Sequence, residues 1–189
     1  MKAGATVFAR TLASRGRAHR GVTLIETCIV AAVVVVIATT AAPSFQHFVQ
    51  RQRLEGATAR LTSDIQFARA QAVLNQRGVR LSLRSGDGGS CYIVHTGAAG
   101  DCTCDASGPA HCSGDAREFK TVQLPPSERI TLTANVASIV FDPLHGTSSP
   151  TATLQMSTAD GRSLRDIVNL MGRVRTCSPQ GGMPGHPVC

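Results

Sequence analysis

The longest apolar run of the chain covers residues 22–42 and contains one charged residue, Glu26. As a helix, its 21 residues would span roughly 31 Å at about 1.5 Å per residue, which matches a bilayer core about 30 Å thick. The run therefore predicts a membrane-spanning helix. A secretory signal cleaved near the small residues of ATTAAPSF is the alternative, and Glu26 and the pattern after Pro43 argue against it.

A second pattern follows Pro43, where apolar and small residues recur at steps of three and four, as in an amphipathic helix. These residues are Leu54, Ala57, Leu61, Ile65, Ala68 and Ala72. We expect Pro43 to kink the helix without ending it, and Gly78 to end it in the left-handed conformation. The two patterns predict one helix of about fifty residues, since no Gly/Ser/Pro linker other than Pro43 separates a membrane helix from an unrelated soluble one.

After Gly78 the apolar period changes from helical to alternating, which predicts short strands. The first is VRLSL, and CYIVHT, FKTVQL, RITLTA, SIVFD, ATLQMS and RDIVNL follow, separated by turn-forming segments. Residues 97–118 contain few large apolar side chains and predict a loop held by cysteines. The fold class is therefore α+β, with a long N-terminal helix packed on antiparallel sheets.

Charge is concentrated at the N-terminus of the chain. The formal net charge is +7, but five of the 19 Lys and Arg residues lie in residues 1–21, and no acid precedes Glu26. Without that segment, 14 basic residues stand against 12 acidic ones, so the basicity says little about the folded domain. Arginines clustered before the span predict a cytoplasmic N-terminus and a domain outside the cytoplasm.

The chain has seven cysteines, of which Cys28 lies in the apolar run. The other six would lie where disulfides persist: Cys91, Cys102, Cys104, Cys112, Cys177 and Cys189. Sequence leaves fifteen pairings open. We favour Cys177 with Cys189, which bracket the Gly- and Pro-rich SPQGGMPGHPV, and Cys91 with Cys102, Cys104 or Cys112.

The heptapeptide RGVTLIE resembles the cleavage and methylation motif of type IV pilins and type II secretion pseudopilins. The resemblance implies that a prepilin peptidase cuts after Gly21 and that Val22, where the family usually has Phe, becomes an N-methylated end. Glu26 would be the fifth residue of the mature chain, and Pro43, the twenty-second residue of the mature chain, would be the proline that kinks the helix. The fold that the resemblance implies is pilin-like.

The segments FARAQAVLNQRGVRLSL, SIVFDPLHG and GRVR narrow the resemblance to the GspH/FimT group of minor pilins, although the chain lacks the tryptophan that this group tends to carry. The resemblance implies a leader of residues 1–21, a transmembrane half-helix of residues 22–42 and an amphipathic half-helix of residues 43–77. A β-rich domain of residues 78–189 would follow, with the cysteine-rich loop 97–118 and a tail of residues 172–189.

Glu26 is costly in lipid unless it finds a partner, by a few kcal/mol or more. In a filament of packed helices, it could meet the amine of Val22 on the same or a neighbouring subunit and fix the axial register. Together with Pro43, it is the residue that the resemblance assigns to assembly. A protonated Glu26 near the interface is the alternative.

The tail motif GRVR places Arg173 and Arg175 on one face of a strand, about 7 Å apart, where each can contact a backbone phosphate. FimT-like pilins of naturally transformable bacteria bind DNA through a GRxR tail motif, which Gly172, Arg173 and Arg175 match. Two solvated arginines are the alternative. Further arginines at positions 162 and 165 would widen the patch, and aspartates at 160 and 166 would offset them.

Catalysis and metal binding have little support in the sequence. The histidines at 47, 95, 111, 145 and 186 are scattered, so no enzyme activity and no cofactor are expected. Zinc binding by CTCDASGPAHC, with His111, is disfavoured because the C-x-C spacing is unusual for zinc and the compartment is oxidising.

The sequence thus predicts a minor pilin in the bacterial inner membrane, single-pass, with a periplasmic domain that assembles into a pilus or pseudopilus. The expected partners are prepilin peptidase, other pilins or pseudopilins and, for DNA uptake, the phosphates of double-stranded DNA. The alternative is a pseudopilin H of type II secretion without DNA binding. A membrane-tethered metal-binding or enzymatic domain is a third hypothesis, from another class.

Processing provides the first test. Mass spectrometry of membrane-extracted protein should show a chain that begins with N-methylated Val22, and Gly21→Glu should retain the leader, because the peptidase is expected to need the glycine before the cut. A chain that begins at Met1, or a cut near Ala42, would contradict this prediction.

Overall fold

The computed structural model describes residues 21–86, 88–105 and 108–189. The leader prediction, apart from Gly21, lies outside the described residues. The chain divides into two compact units, Met1–Ser44 and Phe45–Cys189. One helix, α1 (Leu24–Asn75), begins in the first unit and continues through residue 43 into the second.

In the first unit, the described part of α1 has exposed apolar side chains and is long and apolar enough to cross a membrane. The Thr23 hydroxyl accepts a hydrogen bond from the Glu26 N–H at 3.3 Å, which caps the first turn. Glu26 therefore lies at the positive end of the helix dipole.

The helix ends differently from the prediction for Gly78. Gln76, with φ of 51°, takes the left-handed conformation, and the Arg77 N–H bonds the Ala72 carbonyl at 3.2 Å. The prediction was wrong because strand β1 begins at Val79, so residue 78 must already be extended to enter it.

Six strands of five to eight residues, two four-residue strands and three two-residue strands follow in the described residues. They are β1 Val79–Gly86, β2 Gly89–Thr96, β3 Cys102–Thr103, β4 His111–Cys112, β5 Glu118–Leu124, β6 Ile130–Ala134, β7 Ser138–Phe141, β8 Ser148–Ser149, β9 Ala152–Thr158, β10 Ser163–Val168 and β11 Val174–Cys177. They form an antiparallel five-stranded sheet, β5-β2-β1-β7-β8, a four-stranded sheet, β11-β10-β9-β6, and the ribbon β3-β4.

The predicted helical stripe lies against both sheets. Leu54, Leu61, Ile65, Ala68 and Ala72 are at most 1 % exposed and share one core with side chains of both sheets. Ala57 is only partly buried at its edge. Each fully buried Leu or Ile contributes about 1.5–3 kcal/mol, so this contact holds the helix and the two sheets together.

A buried polar cluster lies inside this interface. Asp64 of α1 accepts hydrogen bonds from the Tyr92 hydroxyl at 2.8 Å and from the Lys120 ammonium at 2.5 Å. Burial, with the Asp64 charge second, raises the pKa of Tyr92 far above its usual range, so Tyr92 remains a neutral donor. The cluster thereby satisfies a carboxylate that would otherwise be costly to bury.

Three disulfides link other parts of the domain. The structure contains the disulfides Cys91–Cys104, Cys102–Cys112 and Cys177–Cys189, which include the tail pairing that the sequence favoured. Cys91–Cys104 attaches the segment of β3 and β4 to the outer face of β2, where Cys91 and Ile93 are buried beneath it, and Cys102–Cys112 joins β3 to β4. Strand β2 is consequently covered on both faces.

Two glycine turns meet at the C-terminal end of α1. Gly146 and Gly172 have φ of 63° and 71°, and a Cβ on Gly172 would lie 2.7 Å from the Gly146 carbonyl oxygen. Arg69 of α1 donates from Nε to that same oxygen at 2.9 Å. The β7–β8 turn, the β10–β11 turn and the helix are thus fixed to one another.

Replacing Gly172 with Ala should reduce the free energy of unfolding by more than Gly161→Ala does. Both changes put a side chain at positive φ, which costs roughly 1–2 kcal/mol, but only position 172 adds overlap, worth roughly 1–3 kcal/mol more. Gly161, with φ of 86°, has open space where its Cβ would lie. Urea unfolding of the Phe45–Cys189 unit measures the difference. Equal losses would show that the close approach is unimportant.

Candidate functional site

The GRVR motif lies in the hairpin of β10 and β11. Gly172 N–H donates to the Asn169 carbonyl at 2.9 Å and closes a turn, and the Asn169 N–H bonds the Arg173 carbonyl at 3.0 Å. The Asn169 side-chain oxygen accepts from the Arg173 N–H at 2.9 Å. The glycine therefore makes the turn, and Arg173 is held by Asn169 immediately before the strand.

Alternation along the hairpin places the arginines on its outer face. Arg173 and Arg175 are exposed. In the pairing of the strands, Arg175 lies opposite Ile167, and Arg165 lies opposite Cys177 on the same face. Arg165 is the one that widens the patch, and its Nε donates to Gln155 of β9 at 2.7 Å. We call Arg165, Arg173 and Arg175 the arginine face.

The acid expected to offset this face lies on the other side of the sheet. Asp166 is 1 % exposed and accepts hydrogen bonds from the hydroxyls of Thr62 and Thr176, at 2.9 and 2.6 Å. Burial raises its pKa above the usual range, and the two hydroxyls oppose that shift. The expectation that Asp166 would neutralise the patch was wrong, because adjacent strand residues point to opposite faces.

Arg162 does not extend the patch as expected, since it has partners elsewhere. Its Nε lies 3.3 Å from the Asp160 carboxylate, and its Nη1 donates to the His47 carbonyl of α1 at 3.0 Å. The Thr158 hydroxyl, followed by the Arg162 charge, lowers the pKa of Asp160. Within the described residues, the three members of the arginine face form no such ion pair.

The tail fixes the far end of β11. Cys177 is bonded to Cys189, and Ser178 pairs with Val188. Between them, Met183 is 1 % exposed in the main core, and Arg51 of α1 donates to the Pro184 carbonyl at 3.1 Å. The strand that carries Arg175 is therefore held at both ends.

The other predicted sites lie apart from this hairpin in the sequence. Gly21 and Val22 are exposed and precede the first helical residue, Leu24. Cys91, Cys102, Cys104 and Cys112 are in disulfides, so they cannot supply thiolates for the zinc alternative. In the part of the chain that the structure describes, no group of three His, Cys, Asp or Glu side chains could hold a metal.

A groove of about 570 Å³ opens between α1 and strands β5 and β6. Its floor is apolar, with Val122, Leu124 and Ile130, and Arg53 and Arg60 lie among its polar lining. Sequence periodicity could not have found this groove, because it forms where two sheet edges meet one helix. None of the residues that line this groove belongs to the arginine face.

Sequence reasoning also missed Gln155, Asn169 and Arg69, which position the hairpin and the arginines. Each is a polar residue in an otherwise ordinary strand, turn or helix. The partner of Arg69 is 77 residues away in sequence, and those of Gln155 and Asn169 are 10 and 4 residues away with no motif that marks them. Only the glycine of SIVFDPLHG gave a signal for the Gly146 turn.

Comparisons with known proteins agree with this fold. The family model described as type II transport protein GspH matches residues 57–172. The type IV minor pilin FimU of Pseudomonas aeruginosa, in one crystal form, is 20 % identical, with a TM-score of 0.50, over 70 % of this chain and 97 % of that one. A second crystal form of FimU gives 20 % identity and a TM-score of 0.47 over 67 % and 98 %.

No curated protein sequence matches the chain. The family match covers more than half of the 189 residues, and the FimU likeness shows the same pilin fold, a long N-terminal helix packed on antiparallel sheets. The chain therefore belongs to the GspH family and is a minor pilin or pseudopilin of the GspH/FimT type.

Proposed function

We propose that the chain is a minor pilin that captures double-stranded DNA through the arginine face. The observation that carries the proposal is the set of three arginines on one face of the β10–β11 hairpin, with the nearby carboxylate of Asp166 buried on the other face. A guanidinium without a carboxylate partner is free to bind a phosphate oxygen through two N–H groups.

The arrangement favours a sequence-tolerant contact with the DNA backbone. Phosphate contacts position a protein on a duplex and carry no sequence information. The hairpin is rigid, because Asn169, the Gly146–Gly172 contact and the Cys177–Cys189 disulfide fix it. Little backbone entropy then remains to be lost from the strand itself on binding.

The proposal gives the N-terminal half a role in assembly at the membrane. We propose that residues 1–21 are a leader removed by prepilin peptidase and that residues 22–42 cross the inner membrane, with the N-terminus cytoplasmic and residues 78–189 periplasmic. Glu26, in the first helical turn, would pair with the methylated amine of Val22 during packing with other pilins. Pro43 and the helix to Asn75 would connect the anchor to the domain.

A pseudopilin of type II secretion is the second candidate, and the description of the matching family favours it. In that case the arginine face would be a solvated surface, and the shared fold would serve assembly alone. DNA binding separates the two candidates.

The test uses the Phe45–Cys189 unit, which is compact and has its own core. Arg173→Ala with Arg175→Ala should abolish most binding to a duplex of mixed sequence. The parent should show log K against log salt with a slope of about −2 to −3, at roughly 0.9 per phosphate contact for three arginines. Fluorescence anisotropy at several salt concentrations measures both effects.

The matched control is Arg80→Ala with Arg84→Ala, which removes the same charge from β1. Arg80 bonds Ser138 and Arg84 pairs with Asp105, so neither belongs to the arginine face. This variant should bind nearly as well as the parent. If the hairpin variant binds like the parent, or if the parent fails to bind at low salt, the DNA-capture proposal fails and the pseudopilin candidate replaces it.

A further inference from the structure

The turn that leads into the arginine face carries two large apolar side chains. Leu170 and Met171 are the central residues of the turn 169–172, and each is 59 % exposed. Tight turns usually carry Gly, Asn, Asp or Ser there. Nothing in the local backbone requires Leu and Met, so their exposure suggests a contact outside the chain.

The turn is a fixed platform for these side chains. The Ser148 N–H donates to the Leu170 carbonyl at 2.9 Å, and the Ser148 hydroxyl donates to the Asn169 carbonyl at 2.6 Å. Gly172 packs on Gly146 from behind. Ordering the turn on binding would therefore cost little conformational entropy, unlike ordering a mobile loop.

We call Leu170 and Met171 the tip of the hairpin. The charge beside this tip indicates the kind of partner that it binds. Arg173 follows Met171 by two residues, and Arg69 lies against the Gly172 turn. The acid of the β7–β8 turn, Asp142, is held by N–H groups of its own turn, from His145 at 2.8 Å and Leu144 at 3.0 Å, and these bonds lower its pKa. The tip is thus apolar at its centre and has arginines on the side where β11 begins.

Duplex DNA offers surfaces that match both parts. Its backbone binds arginines, and its minor groove accepts Leu and Met side chains that insert between base steps and bend the duplex. An arginine face that contacted only phosphates would be served equally well by a polar turn.

We propose that Leu170 and Met171 insert into a groove of double-stranded DNA and partly unstack a base step while Arg173 and Arg175 hold the backbone. This inference rests on the proposed DNA capture. The bound duplex is bent, and a duplex that is already weakened at one position binds more tightly, because less unstacking energy is lost.

The experiment compares two DNA probes of equal length and charge, a fully paired 30-base-pair duplex and one with two central mismatches. The parent Phe45–Cys189 unit should bind the mismatched duplex roughly 3–10-fold more tightly, since unstacking an intact step costs a few kcal/mol and only part of it is spared. Fluorophores at the two duplex ends should approach each other on binding.

Leu170→Ser with Met171→Ser should reduce the ratio of affinities to about one and remove the end-to-end approach, while the salt slope of about −2 to −3 remains. The exchange variant, Leu170→Met with Met171→Leu, should keep both signals because the tip stays apolar. Circular dichroism and melting temperature confirm that each variant is folded.

The possible failures are distinguishable. If binding depends on Arg173 and Arg175 but the parent shows no preference and no bending, or the Ser variant keeps both, then the insertion is wrong and the DNA capture stands. If the parent binds neither probe, both proposals fail. If the parent self-associates and the Ser variant does not, the tip is a protein contact, and the insertion is likewise overturned.

Discussion

The packing of one apolar helix stripe on two sheets is the contact on which the rest of the domain depends. Leu61 and Ile65 fill the centre, and the small side chains of Ala68 and Ala72 let the sheets come close to the end of the helix. That approach brings Gly146 and Gly172 together beside Arg69. The hairpin that carries the arginines is therefore positioned by the core as well as by its own turn, strand pairing and disulfide.

The same packing decides which charges are available to a partner. Asp64 of α1 faces the sheet and Asp166 of β10 faces the helix, and both carboxylates are satisfied in that interface by Tyr92, Lys120, Thr62 and Thr176. Burial of these two carboxylates leaves the arginine face without them. A domain of nearly balanced charge can in this way present a locally cationic surface.

Sequence could predict the parts that depend on local pattern. The helix stripe and the alternating strands follow from side-chain period, and the fold class followed from them. The helix end was predicted at Gly78 because glycine takes positive φ at no steric cost, but β1 begins at Val79 and Gln76 takes that conformation instead.

Strand alternation separates Asp166 from Arg165, but the sequence could not show which groups the charges meet. Asp166 accepts a hydrogen bond from Thr62 of α1, and Arg162 donates to the carbonyl of His47 in α1, and both partners lie more than 100 residues away in sequence. The position of Gly172 against Gly146 likewise arises only when two distant turns pack together. Neither leaves a periodic signal in the chain.

The central claim is that the β10–β11 hairpin is the surface that contacts DNA. Nuclear magnetic resonance of the ¹⁵N-labelled Phe45–Cys189 unit, titrated with a short duplex, tests it most directly. The largest chemical-shift changes should fall on residues 169–175 and on Arg165 and Gln155. Changes confined to the β3–β4 segment or to the groove between α1 and β5, or no changes at low salt, would contradict it.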